Sequence, residues 1–377
     1  MPVKIVLVAG TRPNFIKVAP LMRALAANST FEPMLIHTGQ HYDPKLSKIF
    51  FDELRIPRPD MELEVGSATH AQQTAEIMRR FEPLLGQEQP QAVIVVGDVN
   101  STIACSLVVA KFQLARAFQW KHGRRQRPVI IHVEAGLRSF DDDMPEEVNR
   151  KLTDVVSEVL FVSDPAGLTN LRREGAPESR VFFVGNVMVD SLLAAREQAM
   201  KSTILSQLGI TEKQFCLVTL HRPSNVDDPE MLSRLMEILD AVTAPLPLVF
   251  PVHPRTQERL RAIGFKPDVK RWILTDAVGY LDFLKLEATA RAVFTDSGGV
   301  QEETTVLGVP CVTLRENTER PVTIEEGTNA LGGTDKETIL TALQTVTGRR
   351  LDGRMPKYWD GHAADRIVGI LDGLFGG

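Results

Sequence analysis

The stretch Val129-Ile130-Ile131-His132-Val133-Glu134-Ala135-Gly136-Leu137-Arg138 turns from an apolar run into a polar, glycine-bearing loop. A short apolar run reads as a buried strand, and open α/β sheets hold their ligands at the strands' carboxyl ends. Glu134 therefore leaves a sheet edge, where core packing has no use for a carboxylate. A second run, Ala92 to Val96, ends on Gly97-Asp98, and Met144-Pro145-Glu146-Glu147 follows soon after the first. Asp98, Glu134 and Glu146 are expected at one mouth, a grouping suited to moving protons. Crowding of these carboxylates predicts that at least one titrates closer to neutrality than an isolated carboxyl.

Working outward, strand-like runs alternate with helical periodicity along the whole chain, which favours parallel sheets covered by helices. The runs fall at 3–8, 34–37, 92–96, 128–133, 159–162 and 181–184, then at 215–220, 247–250, 272–274, 292–295 and 310–314. Helical patterns lie between them, as at 71–85, 102–115 and 189–200. An α/β chain of two doubly wound halves follows, divided near Gly185-Asn186 into residues 1–185 and 186–357. The 118–127 stretch, Phe-Gln-Trp-Lys-His-Gly-Arg-Arg-Gln-Arg, is basic and aromatic where a short loop is usual. It reads as a lengthened helix and a solvated loop, with a subunit contact as the other reading.

At 377 residues the chain exceeds one ordinary core, and two domains of roughly 150 to 200 residues are expected. A net charge of −5 argues against a nucleic-acid surface, for which a basic stripe would be favoured. Cys105, Cys216 and Cys311 form no CxxC pair and read as core residues of a reducing compartment. No segment has the ~18 apolar residues of a membrane span, and Val3 to Val8 is a strand rather than a signal sequence. A cytoplasmic protein is expected.

Gly10-Thr11-Arg12-Pro13-Asn14-Phe15-Ile16-Lys17 sits at the first strand-to-helix turn. Gly10 permits a tight turn, Thr11 can cap and Pro13 suits a first helical turn, so the helix amides attract an anion. Arg12 and Lys17 add positive charge. Thr295-Asp296-Ser297-Gly298-Gly299-Val300-Gln301-Glu302-Glu303 repeats this logic, with Ser297 as cap and Gly298 and Gly299 letting backbone approach a phosphate. Glu302 and Glu303 beside a phosphate would repel it unless they accept hydroxyls, as from a ribose; a nucleoside diphosphate meets both demands. His221, in Leu220-His221-Arg222-Pro223, ends a strand and can bind phosphate or protonate a departing one. His253 is placed similarly at the next strand. The eight histidines include no HExxH, and Asp141-Asp142-Asp143 lacks EF-hand spacing, so no metal is expected.

These residues, with HTGQHYD (37–43), HVEAGLRS (132–139), MPEEVNR (144–150) and ENTERP (316–321), resemble the non-hydrolysing UDP-N-acetylglucosamine 2-epimerase family over essentially the whole chain. The resemblance implies a GT-B fold of two Rossmann-like domains around a deep cleft. It also implies a carboxyl-terminal helix, about 358–377, that completes the first domain, and a homodimer. The implied activity interconverts UDP-N-acetylglucosamine and UDP-N-acetylmannosamine without a cofactor, supplying polysaccharide biosynthesis. UDP leaves C1 as the C2 proton is lost, giving 2-acetamidoglucal, and UDP re-adds with protonation of the other face.

Matched position by position, Asp98, Glu134, Glu146 and His221 are the implied catalytic residues. Arg12, Lys17, Ser297, Gly298, Gly299, Glu303 and Arg320 are the implied UDP ligands, with Phe283 near the uracil. Gln40 and His41 match part of an effector site for a second UDP-N-acetylglucosamine. Asn14, the 66–73 segment and Val278 depart from the family's pattern. The same UDP motifs would serve an epimerase of a UDP-2,3-diacetamido-2,3-dideoxyglucuronate type sugar, a hydrolysing epimerase, a GT-B glycosyltransferase or a nucleotide-sugar binding module. Carboxylates on both sugar faces are a requirement of the epimerases.

Overall fold

The computed structural model describes residues 2–39, 53–54, 56–121, 123–349 and 355–376. Its strands are β1 (Val3–Ala9), β2 (Phe31–His37), β3 (Met61–Glu62), β4 (Ala92–Val96), β5 (Phe118–Trp120), β6 (Gly123–Arg125), β7 (Val129–Val133), β8 (Val159–Val162) and β9 (Val181–Phe183). They continue with β10 (Cys216–Thr219), β11 (Leu248–Val252), β12 (Trp272–Asp276), β13 (Ala292–Thr295), β14 (Cys311–Thr313) and β15 (Asn329–Leu331). The chain forms two compact units, residues 1–191 with 357–377, and residues 192–356.

In the first unit the order is β3-β2-β1-β4-β7-β8-β9, every pair parallel. β4, β7 and β8 are buried throughout, as expected of strands covered on both faces. The second unit has the order β12-β11-β10-β13-β14-β15, again all parallel. Its core joins Val218, Leu235, Leu239, Phe250 and Phe294 on one side of the sheet. In each unit the winding direction reverses beside the first strand, and the crevice beyond the strand ends at that reversal is where such sheets take ligands. The loops concerned follow β1 and β4 in one unit and β10 and β13 in the other.

β5 and β6 pair with each other in antiparallel fashion, where a lengthened helix and a solvated loop were expected. Trp120 packs its ring 4.6 Å from that of Phe375, and the Lys121 amide donates to Leu374 O. Arg127 pairs with Glu158 at 2.6 Å and Arg125 with the same carboxylate. Aromatic burial and a shared counter-ion thus convert an apparent charge run into a clamp on the helix Ala363–Phe375. The other end of that helix is fixed by the Asp190 carboxylate, which accepts from the amides of Ala363 (3.1 Å) and Ala364 (2.7 Å). Among the described residues no helix is long and apolar enough to cross a membrane.

Candidate active site

The turn after β1 opens the helix Arg12–Ala26, with Thr11 at the N-cap and Asn14, three residues on, as its capping-box partner. Asn14 also binds beyond the helix. Its Oδ1 accepts from the amides of Gly10 and Thr11, both at 3.1 Å, while its Nδ2 donates to Val96 O at 3.1 Å. The β1 turn is thereby tied to the end of β4. One turn along the helix, Lys17 is buried and ion-paired with the buried Glu134 carboxylate. The side chain of Arg12, and Gln40 and His41, lie outside the described residues.

Glu134 has φ +73°, a left-handed backbone conformation costly for a residue with a side chain and characteristic of functional sites. Its oxygen would lie 3.3 Å from a Cβ on Gly97, which keeps the loop before Asp98 close against it. Asp98 is paired with Arg150, which also pairs with the wholly buried Glu147. Asn149 donates to Asp98 O at 2.9 Å. Asn149 and Arg150 stand three and four residues beyond the half-buried Glu146 on the helix Pro145–Val156, hence on its face. Glu147 accepts from the amides of Ser139 (3.0 Å) and Phe140 (3.2 Å). Burial opposes its charge, yet these donors and Arg150 hold its carboxyl below the usual range. Each buried carboxylate has its own cation or amides, so charge pairing, not mutual crowding, organises this edge.

His132 and Asp154 knit these elements together. The His132 ring reaches Gly97 O at 2.8 Å and Asp154 at 2.6 Å; Asp154 also accepts from Gly136 N (3.0 Å) and Arg138 (2.7 Å). Although burial disfavours its charge, His132 and Arg138 keep the Asp154 carboxyl below its ordinary value. The loop after β4, the loop after β7 and the helix Pro145–Val156 therefore share one buried anchor.

In the second unit the loops after β10 and β13 meet at Asp296. This fully buried carboxylate accepts from the amides of His221 (3.1 Å) and Arg222 (3.0 Å), and from Asn225 Nδ2 (3.1 Å). It lies 3.0 Å from His221 Nδ1, and the His221 side chain keeps 54% of its surface exposed. Asp296 stays charged against its burial because His221 and those donors hold its pKa down. One imidazole nitrogen is thus fixed from below and the ring is open on its outer side.

The helix Gly298–Leu307 follows. Ser297 occupies its N-cap without a side-chain cap bond. A Cβ on Gly298 would lie 2.3 Å from Arg320, so this glycine makes room for a guanidinium at the helix's positive end. Arg320 is buried between Glu302 (2.8 Å) and Glu319 (2.6 Å). Gly299 lies in the first turn of the same helix. Glu303, on that helix, accepts from Tyr280 Oη at 3.1 Å. Tyr280 belongs to the helix Tyr280–Thr289, whose Phe283 is half-buried against the core that holds Phe215, Leu286 and Val293. His253 caps its own helix, accepting from Arg255 N at 3.3 Å.

Each unit gathers functional side chains at its reversal of strand order, acid–base groups in the first and a helix terminus with an anchored histidine in the second. A family model described as UDP-N-acetylglucosamine 2-epimerase matches residues 23–372. The chain belongs to that family. The epimerase is 39% identical to the UDP-N-acetylglucosamine 2-epimerase of Methanocaldococcus jannaschii, over 98% of each chain. The structure of that archaeal enzyme in complex with UDP-GlcNAc and UDP matches with a TM-score of 0.88, covering 98% of this chain and 99% of the other. The UDP-2,3-diacetamido-2,3-dideoxy-D-glucuronate 2-epimerase of Pseudomonas aeruginosa is 37% identical, over 98% of this chain and 99% of its own. The epimerase's two Rossmann-like units are those of a GT-B type α/β fold.

Several groups of the epimerase's site carry no sequence signal of their own. Asp296 stands inside the quoted TDSGGVQEE stretch, and Arg150 and Glu147 inside MPEEVNR, where their proximity to the expected residues was the available clue. Tyr280 and Glu287 had none, because only the packing of one helix against another brings them to Glu303.

Proposed function

We propose that this epimerase inverts C2 of UDP-N-acetylglucosamine to give UDP-N-acetylmannosamine without hydrolysis. The near-complete alignment with a relative solved with UDP-GlcNAc and UDP carries this reading. In the proposed course the C1–oxygen bond breaks with its electron pair leaving on UDP, while a carboxylate takes the C2 proton. The products held are UDP and 2-acetamidoglucal. Re-addition of UDP to C1, with a proton delivered to the opposite face of C2, completes the inversion.

C2–H is not α to a carbonyl, so it becomes acidic only as positive charge develops at C1. Stabilising the leaving diphosphate is therefore the main task. Arg12, Arg320, Ser297, the amides at Gly298 and Gly299, and His221 as proton donor are assigned to it. Lys17 is assigned to UDP, and its ion pair with Glu134 sets it beside the acid–base groups. Asp98, Glu134 and Glu146 are assigned to proton removal and return, Phe283 to the uracil, and Glu303 to the ribose hydroxyls. Gln40 and His41 are assigned to an effector subsite. No added cofactor enters the scheme.

Incubation with UDP-N-acetylglucosamine in deuterated water, followed by NMR at C2, tests the scheme. Deuterium at C2 in retained UDP-sugar is the expected result; free N-acetylmannosamine with UDP would overturn it in favour of hydrolysis. The Pseudomonas relative supports a second reading, a 2-epimerase of the diacetamido-glucuronate sugar, and exchange with that substrate alone would establish it.

We also infer a cytoplasmic homodimer. Val148, Leu152 and Val155 are exposed at one-turn spacing on the helix Pro145–Val156, with exposed Phe140 nearby in sequence. Light scattering at micromolar concentration is expected to give twice the 41.8 kDa chain mass, and the single-chain mass would refute the dimer.

A further inference from the structure

The buried acid Glu287 has no task in the proposed scheme, yet it lies against Glu303, which has one. The helix Tyr280–Thr289 carries Tyr280 and Glu287 seven residues apart, about two turns, and so on one face. That face packs against the helix Gly298–Leu307, where Glu303 receives the Tyr280 hydroxyl at 3.1 Å. Glu287 is wholly buried, and among the described residues neither of its carboxyl oxygens meets a hydrogen-bond donor; the carboxyl of Glu303 faces them. Two carboxylates cannot both be ionised against each other in so dry a place, so the pair holds a proton between them.

We propose that Glu287 is a positioning residue for nucleotide capture: it keeps the proton of the buried pair, so that Glu303, steadied by Tyr280, offers an ionised oxygen to the ribose hydroxyls. The proposal rests on the reading of Glu303 as the ribose acceptor. Its balance is simple. When a second proton occupies the pair, Glu303 is a neutral acid and a poor acceptor; binding of the nucleotide then expels that proton to solvent.

The surroundings agree with this division. Burial drives Glu287 well above the ordinary carboxyl range, with the Glu303 charge adding to it. Burial also pushes Glu303 up to about 7; Glu302 adds to the rise, while the bonds to Tyr280 and Glu287 oppose it. Tyr280 is itself held well above its usual value by burial and by both glutamates. The remaining groups around the pair are Arg320, which neutralises Glu302 at 2.8 Å, and the Cys311 thiol of β14, raised to about 12 chiefly by burial. Neither the Tyr280 hydroxyl nor the Cys311 thiol ionises between pH 6 and 8.

The test is the dissociation constant of UDP-N-acetylglucosamine, by calorimetry on the full chain from pH 8 to pH 5.5. The diesterified diphosphate of this probe does not titrate in that range. A group near pH 7 predicts that Kd rises about fivefold from pH 7 to 6 and then approaches tenfold per unit. Glu303→Gln is the reference, removing this component and leaving the slope due to every other group. Glu287→Gln, which donates permanently, is expected to keep the wild-type affinity and midpoint. Glu287→Leu, which cannot donate, is expected to bind at least tenfold more weakly at pH 8, with its midpoint displaced upward.

A wild-type slope no steeper than that of Glu303→Gln overturns the proposal. So does a tenfold loss of affinity in Glu287→Gln, which decides the matter even if the leucine variant does not fold. Absence of binding by the wild type at pH 8 would instead remove the UDP-sugar reading itself.

Discussion

Replacing Asp296 by Asn tests the candidate site of the second unit most directly. The carboxylate sits fully buried, receives three donors at 3.0 to 3.1 Å, and stands 3.0 Å from His221 Nδ1. An asparagine keeps one acceptor oxygen but turns an NH2 toward groups that are themselves donors. The lost charge-assisted bond to the imidazole is worth about 1.5–3 kcal/mol, the low end being favoured because His221 is half-exposed. Since ~1.4 kcal/mol is tenfold in rate, kcat is expected to fall about 10- to 200-fold, with KM changed far less. Steady-state epimerisation and the rate of C2 deuterium uptake should fall together. The Asp296 pKa is lower folded than its ordinary 3.8, so its stabilisation is complete above the unfolded value and lost as pH falls through the folded one. Asp296→Asn should therefore weaken the protein at neutral pH and flatten its acid unfolding below about pH 4. A folded variant with kcat within twofold of wild type would refute the assignment of His221 to an Asp296-anchored role.

Two further substitutions address the first unit. Lys17→Met strips the buried Glu134 of its counter-ion, and urea unfolding is expected to show a loss of about 3–5 kcal/mol along with loss of turnover; unchanged stability would mean that the pair contributes nothing beyond a solvated contact. Trp120→Ala empties the contact with Phe375, at a cost of about 3–5 kcal/mol, so the amides of the helix Ala363–Phe375 should exchange earlier with deuterium. Unaltered exchange there would contradict the clamping role of the β5–β6 pair.

Strand positions and helix starts were legible in the chain because burial on both faces demands unbroken apolar runs, and each run's end marks a sheet edge. That reasoning reached the runs that became β1, β4, β7, β10 and β13 and the residues just beyond them. It missed β3, β15 and the β5–β6 pair, whose few residues carry no clear alternation. It also anticipated carboxylates perturbed by one another, whereas Glu134 is met by Lys17, 117 residues away in sequence, and Asp98 by Arg150, 52 away.

The sequence by itself determined the layer architecture, the family motifs and which side chains leave the strand ends, because these depend on periodicity and local turn chemistry. Only the tertiary structure decided the electrostatic partners: Lys17 with Glu134, Arg150 with Asp98, Asp296 with His221, and Glu287 with Glu303. Charge energies depend on distance and dielectric, and both are fixed by how remote helices pack rather than by the spacing of letters along the chain.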